Sequence, residues 1–334
     1  MTISRSDRKK RKKFRFGRFI GLLIILGIIG GISYNAYDVF YSAKNTANKI
    51  YQKLDTSKIK NSRKEEQIEI TKDPFTILLV GVENQEGGKG RSDVLMLLTV
   101  NPVTKEILQL SIPRDTRTYV PAADEKTKIT HSYSYGGIEA TIGAVNELID
   151  VPIDYYITTN FQGFEDIVDT LGGVQVDVPF TFKAQLTESL KWKTYHKGEM
   201  KLNGNEALAY VRMRKSDPRG DFGRNERQKQ VIKAIIDKGT SFSSITKVDN
   251  VLDKLGDNVK TNIPPSKMVS FIKLYSKLKS TELNNLKLEG QDDYINDVYY
   301  YIPSQNSLNE INQTLKDTLK TGPTTDNSTN SDNQ

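Results

Sequence analysis

The sequence predicts a layered α/β domain built on a mostly buried sheet, and three observations carry that expectation. Residues 75–82 (FTILLVGV) and 94–100 (VLMLLTV) are continuous apolar runs of strand length, the pattern of strands covered on both faces. Segments between and after such runs repeat their apolar residues at helical spacing, as Ile138, Ile142, Val145, Leu148 and Ile149 do within 137–149. Strand-like and helix-like segments then alternate to near the end of the chain, which points to helices layered on a sheet.

Taken in order, the chain opens on a basic tail. Residues 1–18 hold nine Lys or Arg and one acid, Asp7, so this tail carries more than the whole net charge of +7 and leaves the remainder close to neutral. Residues 19–37 are uncharged and dense in Leu, Ile and Gly. As a helix they would span about 28 Å, enough for a bilayer core. Cations precede this run and not its far side, so the positive-inside rule places the tail in the cytoplasm and everything after Asp38 outside. With no clear small-x-small cleavage site after Gly31, it reads as a signal anchor. Residues 38–73 are polar and Lys-rich with spaced apolar residues, as in a juxtamembrane stalk. Residues 74–320 form the main domain. Residues 321–334 lack any apolar side chain and are expected to be disordered.

Within the main domain, 106–112 (EILQLSI) is a third strand after the Asn101-Pro102 turn. Residues 155–159 read as a strand, 161–171 as a helix, and 174–178 (VQVDV) as an alternating strand after Gly172-Gly173. Helices are expected at 203–211, 222–238 and 265–278, the last opened by Pro264-Pro265. Two short strands, 286–288 and 298–302, and a closing helix at 308–319 complete the pattern. Strand order does not follow from the pattern.

Several chemistries are excluded. There is no cysteine, so neither disulfides nor thiolate metal sites exist. Only His131 and His196 are present, too few for a multi-histidine zinc site. The run from Gly81 to Arg91 (GVENQEGGKGR) misses a phosphate loop because Gly90, not Ser or Thr, follows Lys89. With the basic charge confined to the tail, no nucleic-acid partner is expected.

What stands out is charge at strand ends. The first strand runs into Glu83, the second is preceded by Arg91-Ser92-Asp93, and the third ends in Pro113-Arg114-Asp115-Thr116-Arg117. Ligands of open α/β sheets sit at the carboxyl ends of strands. Further on, Arg212 and Arg214 would share a face if extended, and Arg224, Arg227 and Gln228 follow Asp221 at one-face helical spacing. Arginine forks at a helix start suit phosphate oxygens. Acids without histidines, beside arginines, suggest phosphoryl chemistry with a hard cation. Outside a membrane, where no ATP pool exists, a lipid pyrophosphate would be a fitting phosphate carrier.

These segments resemble the LytR-CpsA-Psr family of cell-wall transferases. The likeness runs from about residue 74 to 238 and rests on ordered motifs: Gly81-Val82-Glu83, Arg91-Ser92-Asp93, Ser111-Ile112-Pro113-Arg114-Asp115, HSYSYGG at 131–137, Leu171-Gly172-Gly173-Val174, LNGNEALAYVRMR at 202–214 and GDFGRNERQ at 220–228. The resemblance implies an α-β-α sandwich with a central mixed sheet and an apolar lipid-binding interior. It implies a phosphotransferase that moves an anionic glycopolymer, such as wall teichoic acid or capsular polysaccharide, from undecaprenyl pyrophosphate to peptidoglycan at the membrane of a Gram-positive cell. By motif, Asp93 would bind Mg²⁺ (or Mn²⁺), Arg91 would lie near the reacting phosphate, and Arg114, Arg212, Arg214 and Arg224 would hold the pyrophosphate with Asp221 and Gln228 in support. Arg117 and Arg227 are weaker candidates. The family usually has Asp where this chain has Glu83, which leaves direct metal ligation by Glu83 open. Two alternatives share these residues or this topology: a polyprenyl-pyrophosphate hydrolase, and a membrane-bound regulator of envelope genes.

Overall fold

A computed structural model describes residues 49–60, 63, 67–83, 90–239, 258–278 and 283–320. The basic tail, the expected span at 19–37 and the polar C-terminal tail lie outside the described residues. Among the described residues, no helix is long and apolar enough to cross a membrane.

The centre is a six-stranded mixed sheet. Its strands are β1 (Phe75–Val82), β2 (Ser92–Asn101), β3 (Glu106–Ile112), β6 (Tyr155–Thr159), β11 (Val259–Thr261) and β12 (Leu283–Lys287), in the order β11-β6-β1-β2-β3-β12. β1 pairs in parallel with β6, and β3 with β12; the other neighbours are antiparallel. The carboxyl ends of β1, β3, β6 and β12 therefore share one edge with the amino ends of β2 and β11. The charged segments flagged in the sequence meet along that edge.

One face of the sheet, with Leu78, Val80, Leu95, Leu97, Leu108 and Leu110, packs on helices α1 (Ser132–Asn146) and α6 (Gln305–Thr318). Helix α1 begins five residues before the expected start, and it bends where Gly137 adopts φ +65, a left-handed geometry that glycine enters at little cost. Leu148 and Ile149 are buried as their spacing suggests, but beyond the helix end.

The other face is divided. At its amino-terminal half, helix α5 (Pro265–Leu278) covers the sheet, and Phe271 meets Phe75 and Tyr155 edge to face, with centroids 5.4 and 5.3 Å away. At the carboxyl half no helix among the described residues lies flat on the strands. A second core stands across from them, built from α2 (Phe161–Thr170), α3 (Gly204–Arg212), α4 (Asp221–Gly239) and the hairpin β8–β9 (Phe182–Gln185, Trp192–Tyr195). The antiparallel pair β7–β10 (Val174–Val178, Gly198–Leu202) belongs to the same core. Asn160 caps α2, and a reciprocal Asn203–Glu206 capping box opens α3. Two more hairpins, β4–β5 (Arg117–Val120, Glu125–Lys128) and β13–β14 (Gly290–Ile295, Val298–Pro303), lie beyond β3.

The expectation of strands covered by protein on both faces therefore needs correction. Ile77, Leu79, Val94, Leu98 and Ile157 face a cavity at the carboxyl half. Apolar runs report exclusion of water, not what excludes it.

The described part of 38–73 packs on the domain. Ile50, Leu54, Ile59, Ile68 and Ile70 are buried, Tyr51 bridges to Thr261, and Arg63 pairs with the buried Asp154.

Candidate active site

The cavity between the sheet and the second core has a volume of about 1080 Å³. Its walls are apolar: Ile77, Leu79, Leu98 and Ile157 from the sheet, Phe164 and Ile167 from α2, Leu208 from α3, and Ile232 and Ile235 from α4. Its charged lining comes from Glu83, Asp93, Arg114, Arg212, Arg214 and Arg224, with Gln228 beside them and Lys183 and Lys215 also on the wall. Residues more than 140 positions apart thus share one site. An apolar chamber with a few convergent polar groups is the usual form of a binding site, and this one is large for the class.

Asp93 sits at the start of β2 and Arg114 just past β3, and their pairing across the sheet edge follows from the antiparallel register. Arg114 Nη1 donates to Asp93 Oδ1 at 2.9 Å, with both side chains 29% exposed. On its other side Arg114 Nε lies 3.5 Å from Asp115 Oδ2, and Lys128 Nζ lies 2.7 Å from Asp115 Oδ1. Arg114 is thus held between two carboxylates and still faces the cavity. Glu83 is exposed beyond β1, and its N–H donates to the Arg91 carbonyl at 3.2 Å. Arg91 is exposed there and does not line the cavity.

Across the cavity, Arg212 closes α3 and Met213 turns extended (φ −58, ψ 130). Arg212 and Arg214 both reach the cavity through this helix end, not along a strand as their alternation suggests. The Arg212 guanidinium lies 4.5 Å from the centroid of the Phe161 ring, and its Nη1 donates to Thr187 Oγ1 at 3.2 Å. Arg224 and Gln228, one turn apart on α4, are buried at the cavity wall.

Two weaker candidates lie off the cavity. Arg117, on β4, stacks 5.7 Å from the Tyr300 ring centroid. Arg227 is buried to 1% exposure, gives Nη1 to Asp217 and Nη2 to the Met213 carbonyl, and gives Nε to the Tyr210 carbonyl at 3.1 Å. It staples the end of α3 to the loop before α4, and so fixes the turn that carries Arg212 and Arg214. Burial alone would raise the Asp217 pKa, but hydrogen bonds from the Arg219 backbone and from the Arg227 and Arg219 guanidiniums hold it below the usual carboxylate range. Asp221 is the first residue of α4; its side chain lies outside the described residues.

Sequence reasoning missed Asp217 and Lys128 and quoted Asp115 without giving it a role; all three position other charged groups without lining the cavity. A motif of charged residues does not separate these supports from groups that meet a ligand. His131 Nδ1 is 3.1 Å from Thr127 Oγ1, and burial, then the Arg91 and Lys128 cations, push its pKa below the usual value, which favours the neutral ring.

Glu165 is another buried carboxyl, on α2 behind Arg212. Burial, then the Glu188, Asp169 and Asp166 carboxylates, push its pKa up to about 7, against the pull of Arg212. An unfolded carboxyl titrates near 4.5, so the folded chain holds this proton more tightly and loses stability as pH rises from about 4.5 through 7. We expect Glu165→Gln to remove that part of the pH slope, on the order of 3 kcal/mol at pH 8, in urea unfolding at a series of pH values.

A divalent cation can be weighed against these donors. Glu83, just past β1, and Asp93, near the start of the adjacent β2, lie at one cavity edge, and among the described residues no group of three or more His, Cys, Asp or Glu could hold a metal. Two carboxylates with room for phosphate oxygens suit Mg²⁺, which takes one or two protein carboxylates and completes its shell from substrate and water. Asp93 Oδ1 is taken by Arg114, which leaves Oδ2 for a cation.

The LytR_cpsA_psr family model matches residues 37–317. The chain belongs to the LytR-CpsA-Psr family. The match extends well past the 74–238 stretch that carries the sequence motifs, and takes in the strands and helices after α4. Among its relatives, the chain is 40% identical over 95% of its length to TagU of Bacillus subtilis (strain 168), covering 99% of that protein. TagV of the same organism is 40% identical, over 95% of this chain and 81% of TagV. Both are named polyisoprenyl-teichoic acid–peptidoglycan teichoic acid transferases. The crystal structure of B. subtilis TagV aligns at a TM-score of 0.67 and 42% identity, over 75% of this chain and 99% of that one. A structure of TagT bound to LIIa-WTA aligns equally well, at 0.67 and 32% identity, over 80% and 99%. The LytR-CpsA-Psr fold thus accounts for the mixed sheet and its layers.

Proposed function

We propose that this LytR-CpsA-Psr protein transfers a teichoic-acid-type glycopolymer from a polyisoprenyl pyrophosphate carrier to peptidoglycan at the cell membrane. The observation that carries the reading is the pairing of one apolar chamber with an arginine-ringed edge: a polyisoprenyl tail needs the first and a pyrophosphate the second. The names of the relatives support the same chemistry.

The chain's own residues would act as follows. Arg114, Arg212, Arg214 and Arg224 hold the pyrophosphate and neutralise the oxygens that gain charge. A peptidoglycan hydroxyl attacks the phosphorus next to the glycopolymer; a new P–O bond forms as the bond to the bridging oxygen breaks, and that oxygen leaves with the polyisoprenyl monophosphate. Asp93 or Glu83 takes the proton from the attacking hydroxyl. Asp93, with Glu83 directly or through water, would hold Mg²⁺, which when bound supplies charge neutralisation at the phosphate oxygens.

The test uses a synthetic lipid-pyrophosphate glycan, peptidoglycan oligomers and Mg²⁺, with mass spectrometry of the products. A phosphodiester-linked glycan that disappears with EDTA supports transfer. Lipid monophosphate released with no linked product would replace transfer by hydrolysis. Filling the chamber is a second check: Leu79→Trp should weaken binding of a fluorescent polyisoprenyl phosphate about tenfold or more, through loss of buried tail surface. Its melting temperature should change little, because Leu79 faces the cavity and not packed protein.

A further inference from the structure

The β8–β9 hairpin carries features that folding does not require. Leu190 sits in its turn with φ +55, a left-handed geometry that costs an aliphatic residue about 1 kcal/mol and that glycine or asparagine would adopt more easily. Its side chain is nevertheless 66% exposed, and Trp192 is 68% exposed. Both lie at the mouth of the cavity. The opposite face of the hairpin, through Phe182, Ala184 and Tyr195, is anchored in the second core. Lys183 and Lys191 are exposed on the same hairpin. Aliphatic and indole surface with adjacent lysines is the composition of segments that rest in the interfacial layer of an anionic bilayer. Leucine is a poor surface for stacking a sugar, which weighs against a glycan as the occupant.

The path of the chain points the same way. Tyr51 runs parallel to β11 at Thr261, so the residues before it head toward the amino end of β11, the sheet edge that holds the site. Asn160, at the start of α2, hydrogen-bonds Asn258 at that corner. Arg212 stacks on neighbouring Phe161 and reaches Thr187 in the hairpin turn. Between the expected span at 19–37 and Lys49 are eleven residues, a tether of at most about 40 Å when fully extended. The tether and the exposed lip thus leave the domain at one end.

We infer that the tip of the β8–β9 hairpin docks on the bilayer that anchors the chain, with Leu190 and Trp192 in the interfacial layer and Lys183 and Lys191 on anionic headgroups, so that the cavity mouth opens onto lipid. The inference rests on the reading that the donor is a polyisoprenyl lipid.

Trp192 is the only tryptophan in the chain, so its fluorescence reports on the lip alone. The full-length protein would be reconstituted into vesicles of phosphatidylglycerol and phosphatidylethanolamine, with the cavity pre-filled by unlabelled polyisoprenyl phosphate. Replacing the lipids by forms brominated high on the acyl chain should quench Trp192 about twofold or more, with blue-shifted emission, as for an indole at interfacial depth. Leu190→Asp, which suits the left-handed backbone at least as well as leucine, should lose most of that quenching, and Lys183→Glu with Lys191→Glu should reduce it. Three results would overturn the inference: emission unchanged by brominated lipid and fully open to aqueous iodide; quenching that vanishes when the cavity is pre-filled; or protection by peptidoglycan oligomers and not by lipid. Quenching needs no turnover, so failure of the transferase reading and failure of the docking surface are read separately.

Discussion

Arg114→Ala should cut glycopolymer transfer by about 100-fold or more, the usual consequence of removing a charge aimed at oxygens that become more negative in the transition state. Arg114 donates to Asp93 at 2.9 Å and is backed by Asp115, so its head is held at the cavity edge before any ligand arrives. Asp115 is itself held by Lys128 at 2.7 Å. Preorganisation of this kind means the enzyme need not reorient the group during reaction. The fold should tolerate the change, because an ion pair with both partners 29% exposed is worth about 1 kcal/mol or less. Arg114→Lys should fall between, since an ammonium keeps the charge but not the two-pronged geometry. The decisive measurement is turnover at saturating donor beside the affinity for polyisoprenyl phosphate. A large loss in the first with a small loss in the second places the effect in the transition state; near-wild-type turnover would remove Arg114 from the proposed machinery.

The largest effect on stability is expected from Asp217→Ala. It would leave the Arg227 guanidinium, 1% exposed, without its carboxylate in the second core. Breaking one side of a buried pair costs about 3–5 kcal/mol, because the surviving charge keeps its desolvation penalty and loses its compensation. Gly223→Ala should act through the same contact, since a Cβ there would lie 1.7 Å from Asp217 Oδ2. Urea unfolding should show the loss in both variants. Arg227→Met, which removes the charge along with its need for a partner, should be milder than Asp217→Ala. If Asp217→Ala is as stable as wild type, Arg227 has found water or another acceptor and the staple is not structural. Activity should fall with stability, because Arg227 grips the carbonyls of Tyr210 and Met213 on either side of Arg212.

The two effects separate what the arginines do. Arg114 and Arg224 line the cavity, whereas Arg227 holds the backbone from which other arginines reach it. The one-face spacing of Arg224, Arg227 and Gln228 treats them alike, and the packing of α4 does not. Arg224 and Gln228 share the side toward the cavity, while Arg227, three residues on, is rotated far enough to meet Asp217 behind α3. Arg117 is likewise drawn to the Tyr300 ring by the β4–β5 hairpin, which the sequence did not announce.

The sequence by itself determined the element types, because apolar period and turn residues act locally. The runs at 75–82 and 106–112 became β1 and β3 with those bounds, and Pro264-Pro265 opened α5 where proline can. It also determined the family, through ordered motifs at strand ends. Short hairpins such as β8–β9 and β4–β5 escaped it, since strands of four residues carry too few alternations to register. The tertiary structure alone decided the strand order, and with it the meeting of Asp93 and Arg114 with arginines more than 90 positions away. It alone decided that Ile77, Leu79 and Leu98 face an open chamber, whereas Leu78 and Leu97 face packed core. The physical reason is that a side chain's polarity sets its preference for leaving water, while the surface that receives it, protein or lipid tail, is set by how distant elements pack.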